Sequence, residues 1–247
     1  EFMPHLAAGA GAVLVGTDWW GLSQSDVPLA VQLPQDVAKA PLLTDKLVQA
    51  AVQPIALTRA VRGKLLKHPW LQLGSKPLVD PASPLGYYGN SLGGIMGTTA
   101  VSLHPDVHRA VMNVAGAVWS TLMNRSSDFG PFLDIFEGTQ PDRVAQQQLF
   151  ALLQTMWDLS DPANFADHVL KDPFPGAPTD RRALWPVAWG DAQVANIASG
   201  TLQRVAQAPL LAPAIEAWVG AETVTTLPHA GSAFVQWDPK RGVYPPG

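Results

Sequence analysis

Short apolar runs alternate along the chain with longer segments that show helical spacing. The short runs are typical of buried strands and lie at residues 10–18, 85–88, 110–116 and 183–189, with further strand candidates at 222–227 and 232–237. The helical segments lie at about residues 45–66, 94–103, 143–159, 164–170 and 194–206, and Pro54 is expected to bend or split the first of them. Since strands alternate with helices, the sequence predicts an α/β fold: a mostly parallel sheet with flanking helices.

Residues 117–176 interrupt this alternation, because they contain helical patterns and no strand pattern. The segment is rich in aromatic and apolar residues, which favours a helical cap inserted over the carboxyl edge of the sheet. The predicted organisation is therefore a core made of residues 4–116 and 177–247, with residues 117–176 as the cap or lid.

Composition narrows the classes of protein that fit. With 47% hydrophobic and 15% charged residues, the 247-residue chain has enough apolar material for one large α/β core. Its net charge of −4 and its scattered basic residues argue against a nucleic-acid partner. No apolar run reaches the roughly 18–20 residues that a membrane span needs.

Cofactor and metal sites are not expected either. The chain has no cysteine, its six histidines are dispersed, and its glycines match neither a dinucleotide-binding nor a phosphate-binding motif. We therefore predict no metal and no cofactor.

The candidate chemistry centres on residues 89–93, with the sequence Gly-Asn-Ser-Leu-Gly, between a strand candidate and a helix candidate. This pattern is typical of a nucleophile elbow, in which Ser91 lies on a tight strand-to-helix turn. Both flanking glycines, Gly89 and Gly93, are expected to let strand and helix pass closely. The backbone N–H of Leu92, at the helix N-terminus, would donate to a developing oxyanion. No second oxyanion donor is recognisable in an earlier loop.

A serine nucleophile needs a base, and the base needs an orienting acid. Asp191 follows a strand candidate and precedes a helix, which suits the acid, although it could instead only cap that helix. Asp18 is a rival acid, or a partner for the elbow backbone. His229, the only histidine after Asp191, is the candidate base, and the alternatives are a surface histidine or no base within this chain.

Aromatic residues supply the expected substrate pocket. They occur in the predicted cap and directly after the first strand candidate, and they would line an apolar acyl or alcohol site: Trp19, Trp20, Trp119, Phe129, Phe132 and Trp157.

Residues 15–23, 87–94 and 189–194, taken in this order, resemble the α/β-hydrolase superfamily, and more narrowly bacterial serine hydrolases of the esterase and lipase kind. The resemblance runs from about residue 6 to residue 245. It implies an α/β-hydrolase-like fold, with Ser91 as nucleophile and Asp191 as acid. Relatives begin earlier, with strands and an oxyanion loop, and continue to a later histidine. The chain therefore looks truncated at both ends, and in longer relatives the position of His229 need not be the base.

The leading expectation is a hydrolase of hydrophobic carboxylic esters that works through an acyl-serine intermediate on a small-molecule substrate. The alternative is a catalytically impaired fragment of the same fold that binds ligands or assembles without turnover. An unpaired strand near residues 10–17 would also favour assembly with a second copy of the chain through an exposed sheet edge.

Overall fold

A six-stranded parallel sheet organises the protein, for which a computed structural model describes residues 2–240. A separate antiparallel pair, β1 (Gln72–Leu73) and β2 (Lys76–Pro77), precedes it. The sheet consists of β3 (Leu85–Asn90), β4 (Val107–Asn113), β5 (Arg182–Ala188), β6 (Leu210–Leu211), β7 (Thr223–Val224) and β8 (Ala233–Trp237). Its spatial order is β3-β4-β5-β8-β6-β7, and every neighbouring pair is parallel.

The α-helices of residues 2–240 flank this sheet; three precede its first strand and six lie in the segments between its strands. They are α1 (Met3–Ala10), α2 (Val27–Gln32), α3 (Pro41–Val61), α4 (Leu92–Leu103), α5 (Trp119–Arg125), α6 (Gly130–Thr139), α7 (Arg143–Trp157), α8 (Asp167–Leu170) and α9 (Asn196–Ala206). Pro54 lies inside α3, which remains a single helix rather than two. None of the described helices has the length and apolar content needed to cross a membrane.

The predicted α/β architecture with a mostly parallel sheet is confirmed, but the strand predicted at residues 10–18 is wrong. Residues 11–18 are exposed and adopt no regular strand, and Val13 and Val15 are 42% and 43% exposed. An apolar run becomes a strand only when a neighbouring strand satisfies its backbone hydrogen bonds, and in the described chain nothing pairs with this one.

The free sheet edge beside the elbow therefore belongs to β3, which pairs only with β4 among the described strands. Its outer side presents unpaired backbone groups, which can template the addition of another strand. Association of two copies through a sheet edge stays a prediction, with β3 rather than residues 10–17 as the edge concerned.

The main core lies on one face of the sheet. Met112, Trp185 and Phe234 are fully buried there against residues of α4, α8 and α9. The rings of Trp185 and Phe234 stack with their centroids 4.8 Å apart.

Residues 117–176 form helices α5 to α8 and contain no strand. Their last part, however, packs with the main core, since Ala166 and Val169 are fully buried in it. Helices α5 and α7 and the residues between them pack instead around a second apolar cluster with α3 and α4. The division at residues 117 and 176 stays a prediction, and the structure attaches the stretch around α8 to the core.

Two buried polar residues join α3 and α4 to the amino end of the sheet. The Arg181 side chain donates to the carbonyls of Val107 at 2.9 Å and His104 at 2.8 Å, and burial lowers its pKa to about 10. His104 is 2% exposed; its Nε2 lies 3.1 Å from Thr58 Oγ1, and its Nδ1 accepts from Asp106 N. Burial lowers the pKa of His104, because it disfavours the imidazolium.

The lowered pKa of buried His104 predicts that the protein loses stability in mild acid. Since the pKa of His104 is lower in the folded chain than in the unfolded one, the unfolded chain binds more protons below about pH 6.5. The free energy of unfolding, measured by urea denaturation, should fall between pH 7.5 and pH 5. In His104→Asn, whose side chain can still accept from Asp106 N, the fall should be smaller. Parallel pH profiles for the two proteins would contradict the prediction.

Candidate active site

The backbone at Ser91 has the sharp strand-to-helix bend that the sequence predicts. Ser91 lies between the end of β3 and the start of α4, with φ 53° and ψ −116°. Its N–H donates to the Asn113 carbonyl at 3.0 Å, and its own carbonyl accepts from Gly94 N at 2.7 Å and Ile95 N at 2.9 Å. A non-glycine residue with positive φ is strained, and such strain is concentrated at functional sites.

Close packing of α4 on the sheet imposes this bend. A Cβ at Gly89 would lie 2.1 Å from the Gly93 carbonyl oxygen, and one at Gly94 would lie 2.5 Å from the Asn113 carbonyl oxygen. The Tyr87 hydroxyl donates to the Gly93 carbonyl at 2.5 Å, and burial raises its pKa. The expected need for a glycine at 93 is wrong, because the nearest atom to a Cβ there is 3.9 Å away.

The first residues of α4 offer hydrogen-bond donors beside Ser91. Leu92 is the first residue of α4, so its N–H has no acceptor within the helix. The half-buried Ser91 has no side-chain hydrogen bond to any residue that the structure describes. A carbonyl oxygen placed at this helix end would meet the Leu92 N–H and the positive end of the helix dipole.

Asp191 lies at the same carboxyl edge of the sheet, just after β5. Its Oδ1 accepts from Gln193 N at 2.8 Å and Val194 N at 3.0 Å, so it caps the turn that leads into α9. Within residues 2–240, its Oδ2 has no hydrogen-bond partner. Because one strand separates β3 from β5, the two strands lie about 10 Å apart. The capping role and a role as orienting acid are therefore compatible.

His229 lies at the opposite end of the sheet from Ser91. Its Nε2 is 3.3 Å from the Ser232 carbonyl, and the Ser232 hydroxyl accepts from Ala183 N near the start of β5. Parallel strands all begin at one edge, and a six-residue strand such as β3 spans about 20 Å. The structure does not bring His229 to Ser91. The signal was in the sequence order, because His229 precedes its strand whereas Ser91 and Asp191 follow theirs.

No other histidine takes the place of His229 as the base, since none of the six histidines forms a hydrogen bond to Ser91. His104 and His108 lie at the amino end of β4, and His168 stacks on Phe174. Asp18 is exposed and makes no hydrogen bond in the described chain, so it neither holds the elbow backbone nor faces a base. Among the described residues, no His, Asp and Glu side chains converge in a group that could hold a metal ion.

An apolar cavity of about 250 Å³ lies between α3, the segment 21–37 and helices α5 to α7. Four of the six predicted pocket residues line it, namely Trp119, Phe129, Phe132 and Trp157. Trp19 packs against the second apolar cluster without lining the cavity, and Trp20 is 53% exposed and does not line it. Leu92 packs against the cluster that also contains the cavity residues Leu43, Leu47 and Trp119. Neither Ser91 nor a residue of α4 is among the described residues that line the cavity itself, here termed the cavity beside α4.

Sequence reasoning missed the second wall of this cavity, which includes Leu22, Ala30 and Leu33. Asp26 links this second wall to α3. This residue is 3% exposed, and its carboxylate accepts hydrogen bonds from Lys46 Nζ at 2.7 Å and from Gly21 N at 2.8 Å. Burial raises the pKa of Asp26, but the hydrogen bonds that it accepts outweigh this effect and lower the pKa to about 2. The available signal was Ser23 three residues before Asp26, a capping-box spacing just before an apolar run.

Comparison with known proteins supports the fold. No family model and no curated protein matches the chain. One similar solved structure is acetyl xylan esterase 1 from Thermoanaerobacterium sp. JW/SL YS485, with a TM-score of 0.52 and 14% sequence identity. The match covers 97% of this chain and 65% of the esterase chain. At this identity, the similarity shows a shared coarse α/β fold.

The packing of α4 predicts opposite outcomes for two neighbouring glycines. Gly94→Ala should lower the free energy of unfolding by about 1–3 kcal/mol, because its methyl group would overlap a backbone carbonyl. Gly93→Ala, the matched control, should be neutral or slightly stabilising, since it has room and alanine favours helix by up to about 1 kcal/mol. Urea denaturation of both variants measures the difference, and equal costs would refute this account of the packing.

Proposed function

We propose that the chain is a serine hydrolase that cleaves carboxylic esters of hydrophobic substrates through an acyl-serine intermediate. The observation that carries the proposal is the strained backbone of Ser91, at a strand-to-helix bend beside a free helix N-terminus. The similarity in fold to an acetyl xylan esterase supports ester hydrolysis as the reaction class.

In the proposed reaction, Ser91 Oγ loses its proton to a base and attacks the ester carbonyl carbon. The Leu92 N–H stabilises the oxyanion of the tetrahedral intermediate. Collapse of this intermediate expels the alcohol, which takes up the proton, and leaves an acyl group on Ser91. Water then hydrolyses this ester by the same steps and releases the acid.

Asp191 is the proposed acid, because its Oδ2 is uncommitted at the same edge of the sheet as Ser91. His229 is not part of this proposal as the base, since it lies at the amino edge. We therefore propose that the group that accepts the Ser91 proton is not one of the six histidines of this chain. Imidazole added in solution could act in place of that group.

The cavity beside α4 is the proposed site for the hydrocarbon part of the substrate. Asp26 is the only charged residue among the described residues that line the cavity, and its carboxylate already accepts a hydrogen bond from Lys46. The described lining therefore offers an incoming ester no unpaired charge. Each methylene group buried there would contribute about 0.8 kcal/mol, or roughly a fourfold gain in kcat/KM while room remains.

A second candidate function is the binding of an apolar ligand without turnover. The observation that favours it is the absence of a hydrogen bond between Ser91 and any of the six histidines. In this case the fold and the cavity would remain, and Ser91 would be an unactivated hydroxyl group.

A fluorophosphonate probe should separate these two functions. We expect it to label Ser91, identified by peptide mass spectrometry, and we expect added imidazole to accelerate labelling because it can accept the serine proton. Ser91→Ala should remain folded by circular dichroism and take up no label.

Folded protein that stays unlabelled at Ser91, with and without imidazole, would refute the hydrolase proposal and favour binding without turnover. Equal labelling of the wild-type protein and Ser91→Ala would show that another group reacts.

Chain-length preference tests the cavity. With p-nitrophenyl esters, kcat/KM should rise roughly fourfold per methylene from acetate until the cavity is filled. Ala30→Trp, which fills the cavity, should remove this rise and leave acetate turnover nearly unchanged. The matched control Ala151→Trp, on the exposed side of α7, should keep it. If both variants keep the rise, the hydrocarbon chain binds elsewhere.

A further inference from the structure

The sheet face opposite the main core, here termed the open face, is covered only in part. Three aligned residues of neighbouring strands lie on it, because Tyr88 pairs with Val111 and Val111 pairs with Leu184. Tyr88 on the edge strand β3 and Leu184 on the inner strand β5 are each 38% exposed. Large apolar side chains on adjoining strands thus form a continuous apolar surface that solvent can reach.

A groove of about 460 Å³ runs along the open face. The N-terminal segment forms one wall through Leu6, Val13 and Leu14, and the sheet forms the floor. This volume lies within the range of small-molecule sites, which are concave and mostly apolar with a few polar groups.

Two arginines lie at the amino end of this groove. Arg109 and Arg182 are register partners on β4 and β5, so their side chains project from the same face of adjacent strands, and both line the groove. The side chain of Arg182 makes no ion pair or hydrogen bond in the described chain. Arg109 donates only to backbone carbonyls, those of His108 at 2.8 Å and Asp180 at 3.1 Å.

Neither of these two arginines forms an ion pair with a carboxylate in the described chain. Asp180 is the nearby carboxylate, and His108 Nδ1 already holds it at 2.6 Å. That hydrogen bond, together with the charge of Arg109, lowers the pKa of Asp180. The Asp180 carboxylate thus acts on both Arg109 and the buried Arg181, whereas the Arg182 side chain has no carboxylate partner in the described chain. Like charges directly opposite each other on neighbouring strands are destabilising, and an anion between them would relieve the repulsion.

We propose that this groove binds an amphiphilic carboxylate, the anion of a fatty acid. The carboxylate lies between the guanidinium groups of Arg109 and Arg182, which suit paired hydrogen bonds to carboxylate oxygens. The hydrocarbon chain follows the floor over Val111 and Leu184 toward Tyr88. This site is separate from the cavity beside α4, and the proposal does not depend on ester hydrolysis.

Titration calorimetry with decanoate, decanol and acetate tests the two parts of this ligand separately. Decanoate should bind, decanol should bind at least about tenfold more weakly because it lacks the charge, and acetate should show no measurable binding because it lacks the chain. Decanoate affinity should also fall as salt is added. Equal affinity for decanoate and decanol would overturn the proposal.

Variants then locate the binding. Arg182→Gln should weaken decanoate binding about tenfold or more, whereas Arg204→Gln, an exposed arginine on α9, should leave it unchanged. Val13→Asp, which places a carboxylate on the exposed groove wall, should also weaken it. Ala30→Trp, which fills the other cavity, should have no effect. If Ala30→Trp abolishes binding and Arg182→Gln does not, decanoate occupies the cavity beside α4 and the proposal fails.

Discussion

The close approach of α4 to β3 and β4 is the constraint on which the candidate site depends. Gly89 and Gly94 leave no room for a side chain against neighbouring carbonyl groups, so the helix begins immediately beside the strand ends. Ser91 has to turn within one residue between these two elements and therefore takes a positive φ. Two hydrogen bonds stabilise this turn: the Asn113 carbonyl accepts from Ser91 N, and the Tyr87 hydroxyl donates to the Gly93 carbonyl. Packing, rather than any property of serine, produces the exposed bend.

The same helix packs into an apolar cluster that also contributes to the walls of a cavity. Leu92 begins α4 and at once joins the apolar cluster that forms the cavity walls. The opposite wall depends on an ion pair, because the buried carboxylate of Asp26 ties the segment 21–37 to Lys46 of α3. A hydrocarbon bound in the cavity would therefore lie between helices α5 to α7 and a segment that this ion pair holds in place. The two faces of the sheet differ as well, since one is filled by the main core and the other keeps an apolar groove with arginines at one end.

Local patterns predicted the longer strands of the sheet, β3, β4, β5 and β8, whereas the two-residue strand β6 inside the sheet was missed. Strands β4 and β5 were found because they contain short apolar runs that are buried inside the sheet, and the elbow was found because Gly89 follows from a steric requirement. The run at residues 10–18 looks the same in sequence but forms no strand, since strand formation depends on a pairing partner that the run itself does not encode. The role expected of Gly93 was wrong for a related reason: a Cβ at that position would lie 3.9 Å from the Tyr87 hydroxyl, which is an ordinary contact and not a clash.

By itself the sequence determined the α/β alternation, the sharp turn at Ser91 and the aromatic character of one cavity wall, because each depends on residues close together in the chain. Only the tertiary structure decided which end of the sheet each candidate residue occupies. Asp191 shares the carboxyl edge with Ser91, whereas His229 lies at the amino edge. The tertiary structure also placed Arg109 of β4 opposite Arg182 of β5, although the two residues are far apart in the sequence. Strand direction and register bring distant residues together, and no local pattern specifies them.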